Sequence, residues 1–277
     1  VVTPAPVLSP TPPRRGRSLL GRLLIVVLVL GVGGAGLAVL VDLVTPSRDN
    51  RPETPVTAAP VRPGSVVPGD AGVVPDQQQP TPQGSPAARD SLTEWANRLS
   101  DTVDVPARAL RAYALADLAM RVERPRCRLS WATVAGIGRI ESNHGRYGGA
   151  TLTEEGRPSK PIIGIPLDGG PNVRAIPDTD GGTLDGDTTW DRAVGPMQFI
   201  PGTWKRYAAD GNGDGRADPQ QIDDAAVTAA RYLCSANRDL SDAKGWWAAV
   251  FAYNNSTEYG QKVFGLADTY ARRSLPR

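Results

Sequence analysis

Ser130-Trp131-Ala132-Thr133-Val134-Ala135-Gly136-Ile137-Gly138-Arg139-Ile140-Glu141 reads as a single helix. Trp131, Val134, Ala135, Gly138 and Glu141 fall on one face at three- and four-residue spacing. Ser130 suits the N-cap, where a hydroxyl accepts from the first free N–H groups. Gly145 suits the exit, where a chain leaving a helix turns left-handed. Glu141 closes the apolar stripe, so its carboxyl is carried toward the interior. Desolvation there raises a carboxyl pKa, which a general acid working near neutral pH requires. The spacing serves equally well for a helix-end glutamate paired with Arg139 or Arg146.

The same periodicity recurs on either side. Segments near 88–101, 106–123, 219–236, 244–254 and 256–273 carry apolar residues at helical spacing. Pro106 and Pro219 sit where first-turn prolines belong, the latter after the candidate cap Asp218. No strand pair stands out, and residues 145–195 are rich in Gly, Pro and Asp. The expectation is a mainly α domain over 88–277. Its 24 basic and 24 acidic residues leave it neutral and argue against a nucleic-acid partner. One histidine and two cysteines in 277 residues exclude a Cys/His zinc cluster and leave His144 as the only base for a Ser-His-Asp triad. His144 itself reads as a loop or cleft-rim residue.

Upstream the composition changes. Residues 1–22 form a basic tail, with Arg14, Arg15, Arg17 and Arg22. A membrane anchor is expected over 23–44, because Leu23 to Val41 is an uncharged run of 19 residues, long enough to cross about 30 Å of hydrocarbon. The positive-inside rule then places the rest of the chain outside the cytoplasm, facing the cell wall. Gly31-Val32-Gly33-Gly34-Ala35-Gly36 matches a dinucleotide fingerprint but lies inside the apolar run, without the strand–turn–helix that such a site needs. Residues 45–87 read as a disordered Pro-rich linker: Thr45–Pro86 holds ten prolines and no aromatic residue. Outside the cytoplasm Cys127 and Cys234 are expected to pair.

Two further stretches bear on chemistry. In Gly195-Pro196-Met197-Gln198-Phe199-Ile200-Pro201-Gly202-Thr203-Trp204 a turn held between prolines can present Gln198 at a cleft wall. Ala252-Tyr253-Asn254-Asn255-Ser256 places an aromatic ring and amides where a helix should end, a combination suited to sugar rings. Together with Glu141-Ser142-Asn143-His144-Gly145, and in this order, the three motifs resemble the lytic murein transglycosylases, most closely the membrane-bound lytic transglycosylase B type in its actinobacterial form. The resemblance covers most of 105–270. It implies a lysozyme-like fold, peptidoglycan glycan strands as substrate, and cleavage of the β-1,4 bond from N-acetylmuramic acid to N-acetylglucosamine with formation of a 1,6-anhydro sugar. Glu141 matches the family's single catalytic glutamate. Gln198, Tyr253 and Asn254, with Met197 and Phe199 beside them, match residues that bind the sugar. No cofactor is needed for that chemistry. A lysozyme-type hydrolase and a non-catalytic wall-binding protein are the competing readings, and Asp191 is the candidate second carboxylate for the hydrolase.

Asp210-Gly211-Asn212-Gly213-Asp214-Gly215-Arg216 carries oxygen donors at positions 1, 3 and 5 and a glycine at 6, as in a calcium-binding loop. Position 12 is Gln221 where a glutamate is usual. The resemblance puts Asp224 in that role, with Arg216 offering its carbonyl, and implies one structural Ca2+. The bland alternative is an Asx/Gly turn capping the next helix. Asp178, Asp180, Asp185 and Asp187 form a second acidic loop, read as a cation site, a flap or a solvated surface.

Overall fold

The computed structural model describes residues 61–68, 86–171 and 173–276. The chain divides into Val1–Glu53, wholly outside the described residues, and Thr54–Arg277, which holds every element below. The helices are α1 (Pro86–Val103), α2 (Ala107–Glu123), α3 (Trp131–Ser142), α4 (Pro201–Tyr207), α5 (Ile222–Leu233), α6 (Ala243–Tyr253) and α7 (Thr257–Arg273). A two-stranded antiparallel sheet, β1 (Ile163–Pro166) with β2 (Arg192–Val194), pairs Ile163 with Val194 and Pro166 with Arg192. The mainly α expectation holds. No strand pair stands out in the sequence, yet the structure has this one, its strands too short to show an alternating pattern.

α2 is the central helix, packed against α1, α3 and α5. It is buried on nearly every side, and Ala109, Ala112, Ala114, Ala116 and Ala119 let its neighbours come close while Leu110, Tyr113 and Met120 fill the space between them. α3 packs against α7. Gly136 makes that approach possible, since a Cβ there would stand 3.0 Å from the Val263 carbonyl oxygen. Ser130 caps α3, accepting from Ala132 N at 3.2 Å. Buried Asp117 of α2 adds a second acceptor for the helix start, taking the Trp131 N–H at 2.9 Å and Arg121 Nε at 2.7 Å. The helix leaves through Asn143, His144 and Gly145, all left-handed, and His144 N bonds back to Gly138 O at 2.9 Å.

Cys127 and Cys234 form the expected disulfide, with Cα atoms 5.5 Å apart, joining the entry of α3 to the end of α5. α5 starts at Ile222 with Gln221 as its cap, not at Pro219 after Asp218. Residues 218–221 form a turn instead, held because Gln220 pairs its amide with the Ile162 backbone, Oε1 accepting from N and Nε2 donating to O, both at 3.0 Å.

Residues 61–68 lie in the stretch expected to be a disordered linker, yet they pack on the domain as a strap. Val61 and Val67 are buried in the core. Ser130 Oγ donates to Pro63 O (2.6 Å), Trp131 Nε1 to Ser65 O (3.1 Å), and Ser65 N to Ser274 Oγ (2.8 Å). Gly64 is left-handed and lies so close to Ala271 that a Cβ would meet its Cα at 3.1 Å. The basic tail and the expected anchor over 23–44 lie outside the described residues. Among the described residues no helix is long and apolar enough to cross a membrane.

Candidate active site

The three motifs converge through hydrogen bonds made by their own side chains. At the end of α3, Ser142 Oγ donates to Pro196 O at 2.6 Å and accepts from Gly145 N at 2.7 Å. At the end of α6, Tyr253 donates its hydroxyl to Met197 O at 2.7 Å. Between them, residues 194–199 form a closed turn, Val194 and Phe199 exchanging both backbone hydrogen bonds at 2.9 and 3.0 Å. Gly195 permits the turn. Its φ is +77°, and a Cβ would collide with the Pro219 carbonyl.

Glu141 sits partly buried beside this junction. Tyr259, in the first turn of α7, donates its hydroxyl to Glu141 Oε1 at 2.5 Å. The arginines that could have paired with Glu141 are engaged elsewhere: Arg139 lies 3.6 Å from Asp104, and Arg146 donates to Asn143 O and Oδ1. With no cationic partner for Glu141 among the described residues, burial pushes its pKa up to about 7, against the smaller downward pull of the Tyr259 hydrogen bond. Tyr253 and Tyr259 are themselves raised well above the phenol range, first by burial and then by the nearby Glu141 carboxyl, so both stay protonated donors. A half-neutral carboxyl at physiological pH, aimed by a phenol, can donate a proton to a leaving group and then take one back.

The other expected sugar-binding residues divide. Gln198 is held at φ 48° with its amide Nε2 on Gly195 O at 2.9 Å, and Asn254 is exposed at the end of α6. Met197 and Phe199, by contrast, point into the core, and Met197 reaches the site only through its carbonyl. An apolar side chain beside a buried turn gains more from the core than from a wet cleft. His144 is not at a rim. It is fully buried, 3.0 Å by Nδ1 from the Tyr113 hydroxyl, and burial depresses its pKa to about 3. A neutral, enclosed imidazole of this kind supports the end of α3 and does not exchange protons with substrate. Tyr259 was missed by sequence reasoning. Its signal was present: Tyr259, Val263 and Ala267 form the buried stripe of α7, the helix that packs on α3.

Asp191 is fully buried, and Thr179 occupies both its oxygens, by N–H and by hydroxyl, at 2.8 Å each. It is committed to the loop. Asp178, Asp180 and Asp191 bring carboxylate oxygens within 4.8 Å of one another, while Asp185 and Asp187 bind backbone N–H groups and Arg192. In the 210–224 loop, Gln221 turns away to Glu155 O and Asp223, whereas fully buried Asp224 points inward and accepts from Gly211, Asn212 and Asp218 N–H groups. Asp210, Asn212 and Asp214 bind the loop's own amides. Arg157 and Arg216 act on Asp214 electrostatically, and the set of hard oxygen donors is of the kind that suits a calcium-type cation.

Residues 179–250 match the family model described as the transglycosylase SLT domain. That span contains Gln198 and the 210–224 loop; Glu141, Tyr253 and Tyr259 lie outside it. Two solved structures of the Escherichia coli lytic transglycosylase Slt35 are similar at 14% identity. The one in complex with bulgecin A has a TM-score of 0.39 and covers 66% of this chain and 78% of that one. The one in complex with calcium has a TM-score of 0.38, covering 70% and 80%. Comparison with curated proteins gives no match.

Proposed function

We propose that the chain is a peptidoglycan lytic transglycosylase of the membrane-bound lytic transglycosylase B type, with Glu141 as its acid and then its base. The observation that carries this reading is the Glu141 carboxyl, its pKa near 7, held by Tyr259 at the meeting point of the three motifs. Protonated Glu141 gives its proton to the glycosidic oxygen as the C1–O bond breaks. The resulting carboxylate takes the proton from the muramic acid 6-hydroxyl, whose oxygen closes on C1. Atoms balance without water, and the product ends in a 1,6-anhydro ring. Intramolecular attack gains effective molarity, so a second carboxylate is not required. Gln198, Tyr253 and Asn254 border the site where the sugar is to lie. The SLT-domain match over 179–250 supports the substrate class.

The test is mass spectrometry of muropeptides released from purified peptidoglycan by the full chain. Products lighter by one water than hydrolysed ends are expected. Glu141→Gln is expected to lower turnover by about 10²–10⁴-fold. Reducing ends without the anhydro form would assign a hydrolase; tight sacculus binding without turnover would assign a wall-binding protein.

In this reading the chain is anchored by residues 23–44 and works outside the cytoplasm. One Ca2+ is held by Asp210, Asn212, Asp214, the Arg216 carbonyl and Asp224, and it stiffens the loop before α5 without entering the chemistry. At a hundredfold excess over Kd it should add about 2.7 kcal/mol of stability. Thermal melts with Ca2+ and with chelator check this; a Tm that Ca2+ does not raise, or raises equally in Asp214→Ala, defeats the site.

A further inference from the structure

At the far end of α3 from Glu141 lies a groove of about 890 Å3, lined by the α2–α3 connection and the chain after α5. Four arginines line it, Arg124, Arg126, Arg128 and Arg238, with two acids, Glu123 and Asp239. Both acids are already neutralised. Arg231 grips Glu123 through Nε and Nη2 at 3.0 and 2.9 Å, and Arg128 reaches Asp239 Oδ1 through Nε at 3.0 Å. Arg238 spends Nη1 on the Tyr232 and Leu233 carbonyls and Ser235 Oγ, and meets no carboxylate. Arg124 and Arg126 are exposed and have no side-chain partner among the described residues. Three guanidinium charges thus stand unmatched around one concavity.

The walls are fixed. The Cys127–Cys234 disulfide lies in the lining, and Arg128, Ala236 and Asn237 are held left-handed beside it, a conformation non-glycine residues keep only where the surroundings enforce it. Guanidinium forks match oxyanions in two-point geometry, and a phosphate group, with close to two negative charges at pH 7, answers several guanidiniums where one carboxylate answers one. α3 has 12 residues, about 18 Å of helix at 1.5 Å per residue, so this ligand does not touch Glu141.

We propose that this groove is an anion site that takes the phosphate groups of an anionic polymer, holding the protein on a charged matrix at the end of α3 opposite Glu141. The inference is independent of the proposed activity. It is tested by equilibrium dialysis of the full chain, in uncharged detergent, against inorganic phosphate and against linear polyphosphate. Saturable binding of both is expected, with polyphosphate roughly tenfold or more tighter because it occupies several arginines at once. The Arg124→Ala/Arg126→Ala variant should weaken binding at least about tenfold, whereas Lys244→Ala, which removes an exposed charge elsewhere, should not. Melting curves show whether each variant is folded. Equal affinity for the two probes, with the same arginine dependence, keeps the phosphate site but removes the polymer. No saturable binding, or equal loss in the Lys244→Ala control, overturns the proposal.

Discussion

In the proposed reaction Glu141 and Tyr259 are the pair on which the chemistry turns. The acid form of Glu141 is needed to protonate the leaving oxygen, so activity should fall as pH rises through about 7. The Tyr259 hydroxyl stabilises the carboxylate and holds that pKa down. Tyr259→Phe should therefore move the alkaline limb of the rate profile to higher pH while lowering kcat. A limb that stays in place would remove Tyr259 from this role. The raised pKa also has a cost in stability. The folded state binds this proton more tightly than an ordinary glutamate of pKa 4.5, so stability falls as pH rises from about 4.5 to about 7 and stays reduced above that. Glu141→Gln should then be more stable than the parent above pH 7, by about 3 kcal/mol, and the gain should vanish near pH 4. Melting both proteins across pH measures it. The sequence located Glu141 at the end of an apolar stripe. It could not show that Arg139 and Arg146 are occupied elsewhere, which is what separates an acid from an ion pair.

Helices were legible where capping side chains announce them. Ser130, Asp242 and Ser256 each accept from a first-turn N–H, so α3, α6 and α7 begin where the pattern begins. α5 was read three residues early because Pro219 has the form of a helix start, while its carbonyl is in fact packed against Gly195. That contact spans 24 positions of sequence and leaves no local trace. It also makes a sharp prediction for the turn that carries Gln198. Gly195→Ala must relieve both a positive φ and a collision with backbone, neither of which can yield by a side-chain rotation. A loss of about 2–4 kcal/mol is expected, with activity lost at temperatures where the fold survives. Denaturant unfolding and turnover of the variant report the two effects separately.

At the scale of the whole molecule, the disulfide links residues 107 positions apart. In the chain-entropy account a loop of that length contributes about 4–5 kcal/mol. Cys127→Ser/Cys234→Ser should lose about that much in unfolding free energy, and reductant should do the same to the parent. The pairing was readable from cysteine count and inferred compartment. The strap was not readable: ten prolines in Thr45–Pro86 are the composition of a linker, and nothing in that composition marks Val61 and Val67 as the core residues they are.

The strap alters how the domain bears a load. Tension arriving along the chain from the N-terminal side reaches Pro63 and Ser65 before it reaches α1. There the pull divides between the head of α3, through Ser130 and Trp131, and the tail of α7, through Ser274. The three hydrogen bonds and two buried valines share the strain, so a pull meets the head of α3 and the tail of α7 before it meets α1. A pull from that side would leave α3, and Glu141 with it, seated while the strap held.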